Sequence, residues 1–201
     1  MAAPARRRES FCYADLLRWP EGERWELIDG HAYAMTAPNW AHQSVVFELG
    51  AQLRNQLVGK PCQARSGPVG VRLPVAGEAD ADVRTYFEPD LLVVCDPSKI
   101  DARGIRGAPD FIIEVLSPST ASYDQIDKRR AYERAGVREL WLIDVVNGLI
   151  SLYRHDGHRY AAAELLRTEG RIPVGVLPGV ALDLDFVAAY RPVEPADDAT
   201  P

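Results

Sequence analysis

The chain has 201 residues, 47% of them hydrophobic and 26% charged, which fits one globular domain with a sizeable core. Its net charge of −6 argues against a strong non-specific nucleic-acid binder, because phosphate contacts need clustered Lys and Arg. The charge does not exclude an enzyme that acts on nucleic acid.

The two ends of the chain differ in composition from its middle. Residues 1–9 are basic and we expect them to be flexible, whereas residues 191–201 are rich in Pro, Ala and Asp and are predicted to be an acidic disordered tail. Residues 10–190 are predicted to form a single domain. No secretory signal or membrane-spanning run is recognisable, so we expect a cytoplasmic protein that does not bind a membrane.

The three cysteines, Cys12, Cys62 and Cys95, indicate neither a disulfide framework nor a zinc site. They are odd in number, widely spaced and distant from any group of histidines. We therefore expect buried free thiols.

The first part of the chain predicts a short helix and then a hairpin. Residues 10–19 are typical of a short helix. The apolar runs 25–28 and 31–35 flank Asp29-Gly30, which is a strong hairpin signal. Glu26 is therefore expected on a strand.

A longer helix is predicted next, with Asn39 as its N-cap. Apolar residues recur at helical spacing at Val46, Leu49, Leu53 and Leu57. His42 lies one turn before the first of these, on the same inward face.

The middle of the chain predicts three strands and a helix, at residues 63–73, 88–95, 111–116 and 122–135. The third strand is apolar on both faces and hence central. Residues 104–109 are predicted to be a loop, and residues 117–120 to cap the helix. The last part predicts a three-stranded meander at 140–145, 149–154 and 159–163, then an extended segment and a short helix within 174–190.

Two carboxylates stand on adjoining apolar strands of this arrangement. Asp90 follows Pro89 at the opening of one strand, and Glu114 lies inside the next. An acid in such a position costs free energy unless it is paired or holds a cation. The two acids together make a divalent metal site the first hypothesis.

Lys128 is predicted to point inward, because it shares a helix face with Ala131 and Tyr132. Lysine occurs three times in the chain and arginine twenty times, which suggests that a compact ammonium is needed here. Two carboxylates with a nearby lysine are the parts of a metal-dependent phosphodiester hydrolase.

Each of these residues also has an ordinary structural interpretation. Asp90 suits a turn at a strand start, and Glu114 suits a buried ion pair with an arginine. Lys128 suits a surface ion pair with the acid four residues before it, worth ~0.3–0.5 kcal/mol. His42 alone is more often a core or capping residue, and Glu26 alone is more often a surface strand residue. Their combination in order favours a site.

Several segments match the pattern of a known family. They are residues 113–120, 123–124, 128, 132, 135–137 and 139–144, with 26–30, 42–43 and 89–90 upstream. With these segments the chain resembles the Uma-two family of restriction endonucleases, formerly a domain of unknown function, which belongs to the PD-(D/E)XK nuclease superfamily. The resemblance extends over about residues 10–188, and the Glu-Val-Leu-Ser-Pro-Ser-Thr run at 114–120 is its most specific part.

The resemblance implies an α/β (α+β) fold with a restriction-endonuclease-like core, in which helices flank a mixed central sheet. It also implies that Asp90 and Glu114 hold Mg²⁺ or Mn²⁺, with Glu26 as a further metal ligand. The superfamily's strand lysine, two residues after the glutamate, is Leu116 here. Lys128 is implied to take over the role of that lysine.

The predicted function is divalent-metal-dependent cleavage of nucleic acid, with DNA as the expected substrate. Lys128 would orient the attacking water and stabilise the developing charge, and His42 would transfer a proton or support the site. Two alternatives stay open: a catalytically silent nuclease fold used for binding or assembly, and an enzyme for other phosphodiesters, which a narrow pocket without a basic rim would indicate. A homodimer also stays open.

Overall fold

The computed structural model of the chain describes residues 10–75, 77–117 and 124–191. The basic segment 1–9, most of the predicted cap at 117–120, the start of the helix that follows it and the tail from residue 192 onwards lie outside the described residues.

Fourteen strands and three α-helices are present in the described ranges. The strands are β1 (Trp25–Ile28), β2 (His31–Ala34), β3 (Gln63–Ser66), β4 (Val71–Arg72), β5 (Tyr86–Phe87), β6 (Leu91–Val94), β7 (Ile100–Asp101), β8 (Gly104–Arg106), β9 (Phe111–Leu116), β10 (Glu139–Asp144), β11 (Leu149–Arg154), β12 (Glu164–Arg167), β13 (Arg171–Pro173) and β14 (Ala181–Asp183). The helices are α1 (Tyr13–Leu16), α2 (Trp40–Leu57) and α3 (Arg129–Ala135), the last continuing a π-helical turn (Asp124–Lys128). None of the described helices has the length and apolar character needed to cross a membrane.

A mixed six-stranded sheet forms the centre of the domain, in the order β12-β11-β10-β9-β6-β3. Only β9 and β10 pair in parallel within it, and the other neighbours are antiparallel. All six residues of β9 are buried, as expected for the predicted central strand. The predicted mixed sheet with flanking helices, and with it the α/β (α+β) class, is confirmed.

The two faces of the central sheet pack against different layers. On one face, the buried side of α2 packs against residues such as Phe111, Ile113 and Val115 of β9. On the other face, Ile112 and Leu116 of the same strand pack against α3 and a second sheet, ordered β2-β1-β5-β4-β8-β7. Glu114 lies between Ile112 and Leu116 on the same face of β9, so it projects between the two sheets.

The local predictions for the first helices and the hairpin are largely confirmed. The hairpin joins β1 to β2, and its turn residues Asp29 and Gly30 both have positive φ (51° and 85°), as a tight hairpin turn requires. Asn39 caps α2 by accepting a hydrogen bond from the backbone amide of His42 (2.9 Å). The helix predicted at residues 10–19 is shorter, Tyr13–Leu16, and its N-cap is Cys12.

Other local predictions were wrong because the chain moves between sheets. The predicted strand 63–73 splits into β3 in the central sheet and β4 in the second sheet, and β8 lies within the predicted loop 104–109. The predicted strand 159–163 forms only an isolated bridge, His155 with Tyr160, and in the turn before it Asp156 Oδ1 accepts hydrogen bonds from the amides of His158 and Arg159. Instead, β12 pairs with β11.

The prediction of free thiols was wrong for two of the three cysteines. Cys62 and Cys95 form a disulfide, and Cys12 is free. Cys62 directly precedes β3 and Cys95 directly follows β6, and these strands pair antiparallel with Gln63 opposite Val94. The two cysteines are therefore the next cross-strand pair, a proximity that depends on strand register and not on spacing in the chain.

Candidate active site

The candidate site lies where β1, β6, β9, α2 and the π-helical turn meet. All five residues that the sequence singled out line one cavity of about 380 Å³; they are Glu26, His42, Asp90, Glu114 and Lys128. They come from five separate segments of the chain, so only the tertiary structure brings them together.

Lys128 lies between two carboxylates at the inner end of the cavity. Its Nζ is 3.0 Å from Glu26 Oε2 and 3.3 Å from Glu114 Oε1. The three residues are 4%, 2% and 3% exposed, so water screens these contacts very little. Lys128 thus points inward, as predicted, and the buried cation beside Glu114 is a lysine, whereas the alternative structural interpretation had an arginine there.

Tyr132, one turn after Lys128 on α3, contacts the same carboxylate oxygen of Glu114. Its hydroxyl donates a hydrogen bond of 2.6 Å to Glu114 Oε1, and its ring packs against Phe87. Sequence reasoning placed Tyr132 on the inward face of its helix but gave it no role. Its spacing of four residues from Lys128 is the signal that could have indicated that both side chains reach the same acid.

Asp90 links α2 to the central sheet. One of its carboxylate oxygens, Oδ2, accepts hydrogen bonds from the backbone amide of Val115 (2.8 Å) and from His42 Nε2 (3.1 Å). The Asp90 amide lies 3.4 Å from Glu114 Oε2, so the two acids are neighbours across adjacent strand ends. His42 Nδ1 is buried and has no hydrogen-bond partner in the described part of the chain.

Glu88 also lines the cavity, but its carboxylate is engaged by Arg24 and Tyr86. Its carboxylate accepts hydrogen bonds from Arg24 (2.7 and 2.9 Å) and from the Tyr86 hydroxyl (3.0 Å). Burial and the nearby Glu88 charge raise the pKa of Tyr86, which therefore stays a protonated donor. The Glu88 amide in turn donates to Glu26 Oε1 (3.0 Å), and so it helps to orient Glu26.

The rim of the cavity is partly apolar and carries few cations. Tyr33, Met35 and Pro38 belong to its wall, and burial followed by the charges of Asp127 and Asp29 raises the pKa of Tyr33. Of the described residues that line the cavity, Arg24 and Lys128 are cationic, and both contact carboxylates.

The carboxylates of the cavity supply the oxygen ligands that hard divalent cations prefer. Glu26 and Glu114 contact the single ammonium of Lys128, and Asp90 lines the same cavity, which leaves an excess of negative charge there. No cluster of three or more His, Cys, Asp or Glu side chains in the described ranges is arranged to hold a metal ion. Asp90 and Glu114 are adjacent, whereas Glu26 contacts Lys128 and the Glu88 amide.

Leu116, at the position of the superfamily's strand lysine, packs into the core between the two sheets and is 8% exposed. It does not line the cavity. The cation near the acids is supplied by Lys128 instead, which approaches from the neighbouring helix.

Comparisons with known proteins agree with this architecture. The model of the Uma2 (Uma-two) family, described as "Putative restriction endonuclease", matches residues 13–185. An uncharacterized protein of Synechocystis sp., slr1290, is 30% identical over 120 residues, which span 59% of this chain and 60% of that protein. The crystal structure of a "putative nuclease belonging to DUF820" from Anabaena variabilis has a TM-score of 0.71 at 18% identity, covering 90% of this chain and 98% of the other. That likeness establishes a shared nuclease-like fold.

Proposed function

This chain belongs to the Uma2 family, and we propose that it is a divalent-metal-dependent endonuclease that hydrolyses phosphodiester bonds in nucleic acid, with DNA as its substrate. The observation that carries the proposal is the position of Lys128. Its ammonium contacts Glu114 inside a cavity that Asp90 also lines. This combination of adjacent carboxylates and a lysine is what hydrolysis of a phosphodiester needs.

We propose Asp90 and Glu114 as the metal ligands, with Mg²⁺ or Mn²⁺ as the ion. Mg²⁺ is commonly held by one or two carboxylates, with waters and substrate phosphates as its remaining ligands. Two adjacent carboxylates are therefore enough. A bound ion would lower the pKa of the attacking water and polarise the phosphoryl oxygen. Glu26 stays a candidate third ligand.

The other residues of the cavity have distinct proposed roles. Lys128 stabilises the negative charge that develops on the phosphoryl group, and its contact with Glu26 fixes the position of its ammonium. Tyr132 restrains Glu114 through its hydroxyl. His42 orients Asp90 through Nε2 and is the candidate for proton transfer to the leaving oxygen.

The test is cleavage of plasmid DNA, single-stranded DNA and RNA in Mn²⁺, in Mg²⁺ and in EDTA. We expect cleavage with either metal and none in EDTA. Asp90→Asn should abolish cleavage, whereas Asp110→Asn should not, because Asp110 accepts the backbone amide of Cys95 much as Asp90 accepts that of Val115 but does not line the cavity. Lys128→Arg should retain the charge and the fold but cut more slowly.

Failure of the wild-type protein to cut any of these substrates at low salt in Mn²⁺ would contradict the proposal. The alternative, a catalytically silent fold used for binding or assembly, would then be preferred. Such a protein should show no increase in thermal stability when Mn²⁺ is added.

A second candidate function is hydrolysis of small phosphodiesters. The observation that favours it is that the cations lining the cavity in the described part of the chain, Arg24 and Lys128, are both engaged by carboxylates. Cleavage of bis(p-nitrophenyl) phosphate or a cyclic dinucleotide, dependent on Asp90 and without cleavage of DNA or RNA, would favour this candidate over the first.

A further inference from the structure

Two exposed aromatic side chains lie on the outer side of α2. Trp40 is 84% exposed and Phe47 is 75% exposed, and they are the two aromatic residues among the large hydrophobic side chains exposed in the described ranges. Seven residues are about two helical turns, so both rings are on one side of the helix and roughly 10 Å apart along its axis. The opposite side of α2 is buried against the central sheet.

The aromatic pair adjoins the mouth of the candidate active site. Trp40 is the first residue of α2, and the neighbouring residues Pro38, Asn39, His42 and Gln43 all line the cavity. His42 is on the sheet-facing side of α2, but Gln43, three residues after Trp40 and four before Phe47, lies beside both rings on the helix surface and also lines the cavity. A chain that leaves the cavity past Gln43 would therefore meet the two rings.

We infer, on the basis of the proposed nucleic-acid function, that Trp40 and Phe47 form a stacking surface for unpaired bases of a single strand whose backbone enters the cavity. Base pairs inside a duplex already stack on their neighbours, so an exposed indole or phenyl face can stack only on unpaired or terminal bases. The substrate class is therefore single-stranded nucleic acid, or a duplex that is locally unpaired.

The charge distribution supports this assignment. The chain carries a net charge of −6, and the cations of the cavity wall are engaged by carboxylates, so phosphate contacts there contribute little attraction. Stacking on aromatic side chains is independent of both charge and sequence, and it supplies affinity where phosphate contacts are few. Two exposed charges of opposite sign lie near this surface, Glu48 next to Phe47 and Arg54 two turns beyond it, so they largely cancel.

A second copy of this chain is the rival occupant of the aromatic surface. An aromatic side chain offers roughly 150–250 Å² of surface, so the two rings together provide well under the ~800 Å² per partner of a standard protein interface. Val58, exposed on the same side five turns beyond Trp40, adds too little to close this gap. The exposed area therefore favours bases over a dimer contact.

The test is fluorescence anisotropy with a labelled single-stranded oligonucleotide and the matching duplex, in EDTA so that no cleavage occurs. Trp40→Ala and Phe47→Ala should each weaken single-strand binding by about 5- to 150-fold, which is the range of ~1–3 kcal/mol per stacked base at 1.4 kcal/mol per tenfold. Trp40→Phe should retain most of the affinity. The slope of affinity against salt concentration should stay unchanged in these variants, because stacking releases no counterions.

Leu165→Ala is the matched control, because Leu165 is also exposed but lies on β12, at the opposite edge of the central sheet from the strand β3 that α2 contacts. This variant should bind like the wild type. Equal single-strand binding by Trp40→Ala and wild type, or no binding by the wild type, overturns the inference. Loss of self-association in Trp40→Ala by sedimentation velocity, with unchanged oligonucleotide binding, also overturns it and assigns the surface to a second copy.

Two experimental outcomes distinguish the stacking surface from the endonuclease activity. A protein that binds a single strand through Trp40 but does not cut it in Mn²⁺ contradicts the endonuclease proposal and supports the stacking surface. A protein that cuts nucleic acid equally well with and without Trp40 supports the endonuclease proposal and overturns the stacking surface.

Discussion

Lys128 Nζ lies 3.0 Å from Glu26 Oε2, and both side chains are almost completely buried. Glu26 belongs to the second sheet, whereas the other carboxylate on Lys128, that of Glu114, belongs to the central sheet. One ammonium therefore joins the two sheets at the base of the cavity. The residue proposed to stabilise the reaction's charge is also part of the packing of the domain.

Lys128→Met should destabilise the protein, because it leaves the carboxylates of Glu26 and Glu114 buried without their cation. Breaking a buried ion pair in this way typically costs ~3–5 kcal/mol. Urea unfolding measures the change, with the slope of the transition checked for two-state behaviour. Lys60→Met, at an exposed position, is the control and should have little effect. A loss of less than about 1 kcal/mol would contradict a structural role for the ammonium.

Asp90→Asn should remove metal binding and leave the fold intact. The Asn carbonyl can still accept the Val115 amide, but it carries no charge to hold a divalent ion. Thermal unfolding with and without Mn²⁺ should show a rise in Tm for wild type and for Asp110→Asn, and none for Asp90→Asn. Free Mn²⁺ at 100 times its Kd would raise the free energy of unfolding by ~2.7 kcal/mol. A similar Mn²⁺ shift in Asp90→Asn would show that the ion binds elsewhere.

Tyr132→Phe should lower stability and slow cleavage, since Glu114 loses a buried hydrogen bond of 2.6 Å. Hydrogen bonds to charged groups contribute ~1.5–3 kcal/mol. Tyr160→Phe is the matched control, because the Tyr160 hydroxyl is buried and has no hydrogen-bond partner within the described residues. Its removal should be neutral or stabilising. If both variants lose the same stability in urea unfolding, the Tyr132 hydroxyl has no special role.

The pair Arg72 and Asp101 should make stability fall at acid pH. The hydrogen bond from the Arg72 guanidinium lowers the pKa of Asp101, so the folded state binds this proton less readily than the unfolded state. The stabilisation that this pair gives to the folded state is present above the pKa of Asp101 in the unfolded chain, about 4. It is lost as the pH falls through the lower pKa of Asp101 in the folded state. Unfolding free energies measured from pH 6 to pH 2 should therefore fall less steeply in Asp101→Asn. The same decrease in the free energy of unfolding below pH 4 in wild type and Asp101→Asn would contradict this assignment.

Features that depend on neighbouring residues were predictable from the sequence. The hairpin follows from the turn preference of Asp29-Gly30, and the start of α2 follows from Asn39 as its N-cap. The burial of β9 follows from its five apolar residues, which occupy both faces of the strand. The acid inside β9 indicated a site because burying a charge is costly whatever the fold around it. The family resemblance, which rests on such local segments, was also confirmed.

Features that depend on register and on the meeting of distant segments were decided by the tertiary structure alone. The Cys62–Cys95 disulfide arises from the pairing of β3 with β6, and the split of residues 63–73 from the exchange of the chain between two sheets. Tyr132 gains a partner only because α3 packs beside Glu114. The sequence by itself determined which charged side chains would be buried and would therefore need a partner, because that depends on the residue and on the apolar strand around it. Which groups become their partners was decided by the tertiary structure, because segments up to about a hundred residues apart, such as those of Glu26 and Lys128, meet only in the folded domain.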